Sequence, residues 1–551
     1  MGQATPQTRT GAAALIEALS EAGVTTVYGV PGEETTSLMA ALAKSDLDFV
    51  LCRHEQAAAF MAGVHGRLTG QPAACLATLG PGATNLVTGV ADATLDFVPL
   101  VAITGQGALS RLGRESHQII DLEALFAPIT KQSRTLLDAD AIPGAVAEAV
   151  RVATAEKPGA VHLCLPEDVA SAQTSVPLHP VALPALPLAN NATLALAADR
   201  LRAAERPVIL VGAGALRAKA ADQVRVFAEA TGIAVVTSFM AKGILPADHP
   251  LTLFTVGQPE GDYVDMGLNA ADLILSVGYD PIEYPVDHLT RDGVTPVVHL
   301  GQSPAPADAG WPLVAEVTGA LPATLEGLRT RLRGQRWDMP GTFSAVREGM
   351  RRTLRRPQTE TETGPIAPQD ICAEITAQLR PRDTVLSGVG LHKLWVARHV
   401  SPKRAGQVII PNGLAGMGLA LPGAVAAARL QTEGRVLAIC GDGDVLMNVQ
   451  DMETAARLGL DLTVMVWEDG GYGLIDAHQE KAGADAPQFR FGTPDWGQLA
   501  EAFGWSHAPV SGVSDLAQVL KAAHDSAGPT LISVKVDYDA GGGLPRARKA
   551  A

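Results

Sequence analysis

Cysteine is scarce in this chain: five in 551 residues (Cys52, Cys75, Cys164, Cys372 and Cys440), with no CxxC pair among them. That spacing excludes a disulfide framework and the familiar thiolate metal sites. Four of the five lie in apolar strand-like runs, where buried reduced thiols are the ordinary outcome. Positive charge is short as well: 43 Lys and Arg against 58 Asp and Glu give a net charge of −15. This argues against nucleic acid or an anionic membrane as partner, though not against a small anionic substrate, because a few local groups outweigh a distant surface field. No apolar run approaches the ~18–20 residues needed to cross a bilayer. The opening segment, MGQATPQTRTGAAAL, holds no apolar signal core, so a reducing cytoplasm is the expected location.

What is present is ordinary globular material, with 47% hydrophobic and 18% charged residues. The length exceeds what one hydrophobic core serves and predicts three or four domains. Alternating helix and strand patterns over 1–185 predict a layered α/β domain. The Pro-rich stretch VPLHPVALPALPLANN (176–191) reads as a linker. A second α/β unit spans 192–333, RPQTETETGPIAPQ (356–369) reads as a second linker, and 366–551 is α/β again. The expected fold class is α/β, with three doubly wound parallel-sheet domains. Both ends of the chain run through the same order of helix, strand, Gly turn and apolar strand, for example AACLATLGPGATN near the start and RVLAICGDGDVLMN near the end. The matching order predicts one fold used twice around a different middle.

The strongest motif is 435–473, RVLAICGDGDVLMNVQDMETAARLGLDLTVMVWEDGGYG. One apolar strand ends at Gly441-Asp442-Gly443. A helix follows with Val449, Met452, Ala455 and Leu458 on its apolar face, and a second strand ends at Glu468-Asp469-Gly470-Gly471. In a parallel sheet both loops open at the carboxyl edge, where α/β ligands bind. Asp442 and Asp469 then face each other from neighbouring strands, beside glycines that admit close backbone approach. Two carboxylates in that position suit Mg²⁺, which takes a few carboxylates together with phosphate oxygens and water. A Gly-Asp-Gly alone is a common strand-end turn, and the specificity comes from the whole unit.

That unit resembles the signature of thiamine-diphosphate enzymes, in which GDG is followed at a fixed interval by an Asn- or Asp-containing turn. The resemblance implies thiamine diphosphate and Mg²⁺ as cofactors. Asp442, Asp469 and the Gly471 carbonyl would be the metal ligands, with Gly441, Gly443 and Asp444 beside the diphosphate. It also names the domains: pyrimidine-binding over 1–185, central over 192–333, diphosphate-binding over 366–551. Asp444 departs from the family, which keeps a small residue there. A carboxylate beside phosphates is unfavourable, an outward turn of Asp444 would relieve it, and weaker cofactor binding than the family norm is the expected consequence.

Thiamine chemistry needs a carboxylic acid against the cofactor's pyrimidine ring, best in an apolar pocket. Glu55 follows the strand DFVLC and opens the apolar helix EQAAAFMAGVHGRL. By itself it reads as a first-turn residue favoured by the helix dipole. The family pattern RHEQAAAFMA followed by LGPGATN is what gives it the catalytic role, and implies that it serves a cofactor held by a second chain. A homodimer is then the minimum assembly and a homotetramer the expected one. By the same resemblance Pro31, Gly32, Gly80, Pro81, Gly82 and Asn85 lie near the pyrimidine, and Gly390 and His392 meet the diphosphate. Met417 wedges the cofactor into a bent shape, although periodicity alone makes Met417 plain core packing.

Over almost the whole chain the likeness is nearest to acetolactate synthases, particularly the catabolic, flavin-independent type. It runs through HQIIDLEALFAPITK (117–131), LILSVGYDPIEYP (273–285), LWVARH (394–399) and VDYDA (536–540). GYDPIEY stands where flavin-dependent relatives carry an arginine, and VGAGA (211–215) lacks the full GxGxxG fingerprint, so FAD is not expected. The implied reaction is decarboxylation of pyruvate and joining of the hydroxyethyl unit to a second pyruvate, giving 2-acetolactate. Gln118 and Lys131 match positions that line or support the pocket, with a solvent-facing salt bridge an equal alternative for Lys131. Ala415 replaces a family Gln, Leu391 replaces a polar residue, and a second Gln corresponds to His478 or, with a one-residue slip, to Gln479. Changes of this kind alter substrate choice more than cofactor chemistry. Three alternatives stay open: a thiamine-dependent decarboxylase or carboligase for another 2-oxo acid, a non-catalytic cofactor-binding member, and a flavin- or nicotinamide-binding oxidoreductase.

Overall fold

The computed structural model describes residues 8–183, 185–257, 262–291, 293–306, 310–355, 363–431, 433–483 and 487–540. Residues 356–362 of the second expected linker lie outside these, as do 1–7 and 541–551 at the ends of the first and third expected domains.

Strands such as Leu100–Gln106 and Leu462–Glu468 are buried at nearly every position rather than at alternate ones. Such a strand is stable only where helices cover both faces of its sheet, which a parallel βα fold supplies. The first sheet comprises β1 (Thr26–Val30), β2 (Asp48–Leu51), β3 (Ala73–Ala77), β4 (Leu100–Gln106), β5 (Gln132–Thr135) and β6 (Ala160–Pro166). The second comprises β7 (Pro207–Val211), β8 (Ala234–Thr237), β9 (Thr252–Thr255), β10 (Leu273–Val277), β11 (Val297–Gly301) and β12 (Leu313–Thr318). The third comprises β13 (Thr384–Ser387), β14 (Val408–Ile409), β15 (Val436–Gly441), β16 (Leu462–Glu468), β17 (Ser506–Val510) and β18 (Thr530–Lys535). Every strand pairing in the three sheets is parallel.

The first sheet is ordered β2-β1-β3-β4-β6-β5 and the third β14-β13-β15-β16-β18-β17, which is the same order when strands are counted within each domain. The middle sheet is ordered β9-β8-β7-β10-β11-β12. The likeness of the two ends, expected from their punctuation, is thus present in the strand order, and the middle is a different doubly wound sheet.

The chain packs as two compact units. One joins Met1–Pro184 with Gly413–Thr432 and Val445–Leu460; the other joins Ala185–Asn412 with Glu433–Asp444 and Asp461–Ala551. Two segments that the sequence groups with 366–551 therefore pack with the first domain. The reason lies in side-chain size: helix α1 (Glu55–Thr69) and the later helix over Ala420–Leu430 are both rich in Ala and Gly and lie against one another. Charge adds to it, since Arg429 pairs with Asp48 at the start of β2. The five cysteines are buried and unpaired with one another. Among the described residues no helix is long and apolar enough to cross a membrane.

Candidate active site

At the carboxyl edge of the first sheet, β2 leads through Cys52–His54 into α1. His54 is extended and its Nδ1 accepts the Gln56 N–H at 3.1 Å, which caps the helix and puts Glu55 in its first turn. Glu55 is 9% exposed, and its Oε2 accepts from Asn85 Nδ2 at 3.0 Å. Asn85 lies in helix α2 (Pro81–Leu95), entered through Gly80 at φ +55°, a conformation that glycine adopts without strain. A Cβ at Gly80 would stand 2.9 Å from the Gln118 carbonyl oxygen, and one at Gly82 would stand 3.3 Å from Glu55 Oε1. Gly32 packs on Thr78, whose Oγ1 donates to Glu34 Oε2 at 2.8 Å.

Glu55, Asn85, Gly32, Gly80, Gly82 and Gln118 thus converge, with Pro31 and Pro81 adjacent in the chain. Thr78 and Glu34 belong to the same cluster and were not singled out in the sequence, where they look like ordinary turn residues. Met417 is half-buried in the same unit. Its loop is held by Gly413 N–H to Asp96 Oδ1 (2.6 Å) and Gly416 N–H to Asp92 Oδ1 (3.4 Å). Lys131 is placed by the backbone around it. Its Nζ donates to the carbonyls of Val152 and Ala155, closing the end of the helix Ile142–Thr154.

In the second unit, β15 and β16 are neighbours with Gly441 opposite Trp467, so Asp442 and Asp469 emerge side by side. Asp442 is 1% exposed. Its Oδ2 accepts the N–H of Gly470 (2.8 Å) and Asp469 (3.3 Å), and its Oδ1 accepts the Gly443 N–H at 2.7 Å. Burial outweighs these bonds and holds the carboxyl above its usual range; a divalent cation held by this carboxylate would offset that cost. Asp469 lies over Gly473, the first residue of the helix Gly473–Lys481, where a Cβ would approach Oδ2 to 2.3 Å. The Gly470-Gly471 turn is stitched to 489–491 by Tyr472 N–H to the Phe489 carbonyl (3.1 Å) and Phe491 N–H to the Gly470 carbonyl (3.0 Å). Among the described residues no three His, Cys, Asp or Glu side chains gather as a metal cage. Two carboxylates suit a Mg²⁺ that also takes phosphate oxygens and water, so the residues present fit the implied metal.

Helix α3 (Leu391–His399) follows the turn Gly388–Gly390. His392 is buried, and burial pushes its pKa down to about 3, so the imidazole is neutral. Its ring lies within 3.0–3.1 Å of where Cβ atoms at Gly390 and Gly441 would stand. Its Nε2 has no hydrogen-bond partner among the described residues. Asp444 does not turn outward. It is 2% exposed, its Oδ1 accepts the Val389 N–H at 3.2 Å, and its Oδ2 stands 3.9 Å from His392 Nε2. The cause is Gly388, where a Cβ would come within 1.8 Å of Asp444 Oδ2, so the missing side chain leaves the notch the carboxylate fills. Leu391 is buried beside Gly473, and on the helix that Gly473 begins His478 is exposed while Gln479 is half-buried. In the central domain the Ala213 N–H of the VGAGA loop donates to both carboxylate oxygens of Glu283 (3.0 and 3.1 Å).

Three parallel sheets, with a carboxylate pair at one carboxyl edge and a shielded glutamate at another, define a multidomain α/β enzyme. Family profiles described as "Thiamine pyrophosphate enzyme, N-terminal TPP binding domain", "central domain" and "C-terminal TPP binding domain" match residues 9–125, 194–328 and 388–534. The chain is 32% identical to "Acetolactate synthase" of Bacillus subtilis (strain 168) over 537 residues, 96% of this chain and 93% of that protein. It is 30% identical to "Acetolactate synthase, catabolic" of Raoultella terrigena over 533 residues, 96% of this chain and 95% of that protein. It is 30% identical to "Probable acetolactate synthase large subunit" of Methanocaldococcus jannaschii over 549 residues, 96% of this chain and 92% of that protein. The chain belongs to the thiamine pyrophosphate enzyme family, as an acetolactate-synthase-like enzyme.

Proposed function

We propose that the chain is a carboligase that decarboxylates pyruvate and joins the two-carbon unit to a second pyruvate, releasing CO₂ and giving 2-acetolactate. The observation that carries the reading is the Asp442 carboxylate, buried between two strand-end turns and oriented by three backbone N–H groups beside Asp469. In this reading Asp442, Asp469 and the Gly471 carbonyl hold Mg²⁺. Gly390, His392, Gly441, Gly443 and Asp444 flank the diphosphate. Pro31, Gly32, Gly80, Pro81, Gly82 and Asn85 face the pyrimidine, and Met417 supports the cofactor's bend. Thiamine diphosphate, when bound, supplies the acidic carbon that adds to a 2-oxo acid carbonyl.

The remaining work falls to side chains of this protein. Glu55 holds the proton exchanged with the pyrimidine, oriented by Asn85 and kept from bulk water by the apolar start of α1. Gln118 offers a carboxamide to the substrate carboxylate. His392, neutral through burial, lines the diphosphate without adding charge. Glu55 serves the cofactor of a second chain, so the working unit is at least a homodimer, with a homotetramer the expected assembly. Exposed Leu414, Leu446 and Met447 suit such a subunit contact. Flavin is not needed in this reading, and the Glu283 carboxylate already takes the loop amide that a phosphate would use. A cytoplasmic location goes with the reduced cysteines.

Buried Leu391 beside the metal turn supports a second reading, in which the acceptor or donor is a different 2-oxo acid. Incubation with pyruvate, thiamine diphosphate and Mg²⁺, with products identified, separates the two. Acetolactate and CO₂ are expected; acetaldehyde alone, or no turnover with pyruvate but turnover of a bulkier 2-oxo acid, favours the second. Glu55→Gln is expected to lower kcat by about 10³-fold or more without loss of fold, and near-normal turnover would remove Glu55 from the mechanism.

A further inference from the structure

Shortly after Asp442 in the sequence, Asp451 lies in the first unit with its side chain wholly buried. It is the N-cap residue of the helix Met452–Arg457, a position where aspartate ordinarily accepts the N–H groups of its own helix. It makes no such bond. Its Oδ1 instead accepts the Arg53 N–H at 3.0 Å, from a residue 398 positions away, and the Thr454 hydroxyl at 2.8 Å. Its Oδ2 is buried without a hydrogen-bond partner among the described residues. A second group from the same short helix reaches the same turn, since the Arg457 guanidinium donates to the Leu51 carbonyl. Cys52 between them is held by its own N–H to the Gly29 carbonyl at 2.9 Å. The backbone from Leu51 to Arg53 is therefore fixed on three sides immediately before His54 caps α1 and Glu55 begins it.

We propose that Asp451 is a positioning residue for Glu55: through the Arg53 amide its carboxylate sets the turn from which Glu55 enters α1, and so fixes the Glu55 carboxyl against Asn85. This rests on the reading of Glu55 as the acid that serves the cofactor. The charge is kept at a cost to the fold. Burial pushes the Asp451 carboxyl up to about 6, with Cys52 and His54 facing it from the turn and Glu453 from its own helix. A neutral residue of the same shape would make the fold more stable. Keeping a costly buried charge that reaches across the sequence to the Glu55 turn fits a part in activity rather than in folding.

Asp451→Asn keeps the shape and one acceptor oxygen and removes the charge. The expected result at neutral pH is a thermal midpoint no lower than wild type, with kcat lower by roughly 10- to 100-fold and KM within about twofold. Amide hydrogen exchange over residues 53–56, measured in the protein without cofactor, is expected to be faster. Glu55→Gln, run alongside, separates the failures. If it turns over normally, the Glu55 reading and this proposal fall together. If it is inactive while Asp451→Asn keeps wild-type kcat and wild-type exchange over 53–56, the proposal alone falls. Should Asp451→Asn not fold, Thr454→Val removes one of the two bonds to the same oxygen. It is expected to give the same pattern at smaller amplitude, and wild-type kcat and exchange in that variant would overturn the proposal.

Discussion

Asp444 and Gly388 act as one unit: the glycine lacks a side chain where the carboxylate sits, and the Val389 amide gives that carboxylate a donor. In the proposed site this places an anion close to the diphosphate. Asp444→Asn keeps an acceptor for the Val389 N–H and removes the charge. It is expected to tighten thiamine diphosphate binding by about tenfold, equivalent to about 1.4 kcal/mol; calorimetric titration showing equal or weaker binding would contradict this. Gly473 plays the corresponding part for Asp469, with 2.3 Å between the carboxylate Oδ2 and the position of a Cβ. Gly473→Ala is expected to displace the carboxylate and weaken Mg²⁺-dependent cofactor binding by roughly 10- to 100-fold, leaving the far-ultraviolet spectrum unchanged. The placement of Asp442 and Asp469 at neighbouring strand ends was legible in the sequence because strand, glycine and carboxylate are neighbours in the chain there. Gly388 and Gly473 were not, since their importance lies in which side chain crosses over them, and local pattern carries no record of that. The inward fold of Asp444 was missed for the same reason.

At the level of elements, two helices present Glu55 and Asn85 to one another. Their approach depends on Gly89, where a Cβ would stand 2.5 Å from the Ala59 Cβ and 3.0 Å from the Phe60 nitrogen. Gly89→Val forces α2 away from α1. The expected cost is about 1–3 kcal/mol of stability, accompanied by a fall in kcat, because Asn85 sits one turn away on the same helix. Unchanged melting and kcat would show that the packing there is looser than the geometry indicates. Strands and their succession along the chain were well marked in the sequence by apolar runs and glycine turns. The docking of Gly413–Thr432 and Val445–Leu460 on the first domain was not. Each segment has the βα pattern of the sheet it grows from, and only the small-residue face shared with α1 reveals where it packs. Lys131 is a similar case, since a lysine that closes a helix end looks in sequence like any surface lysine.

For the whole molecule, the first and third domains use one strand order; the first carries Glu55 and the third Asp442 and Asp469. In the proposed enzyme these two half-sites would meet across subunits to make one active centre. Coexpression of Glu55→Gln and Asp469→Ala chains tests it most directly. Each variant alone lacks one half-site in every active centre. A mixed dimer pairs the intact glutamate of one chain with the intact carboxylate pair of the other, restoring one centre and leaving the other doubly damaged. With random pairing, acetolactate formation by the purified mixture is predicted to return to about a quarter of wild type. Activity no higher than that of either variant alone, in mixed dimers shown to have formed, would rule out an active centre shared between subunits.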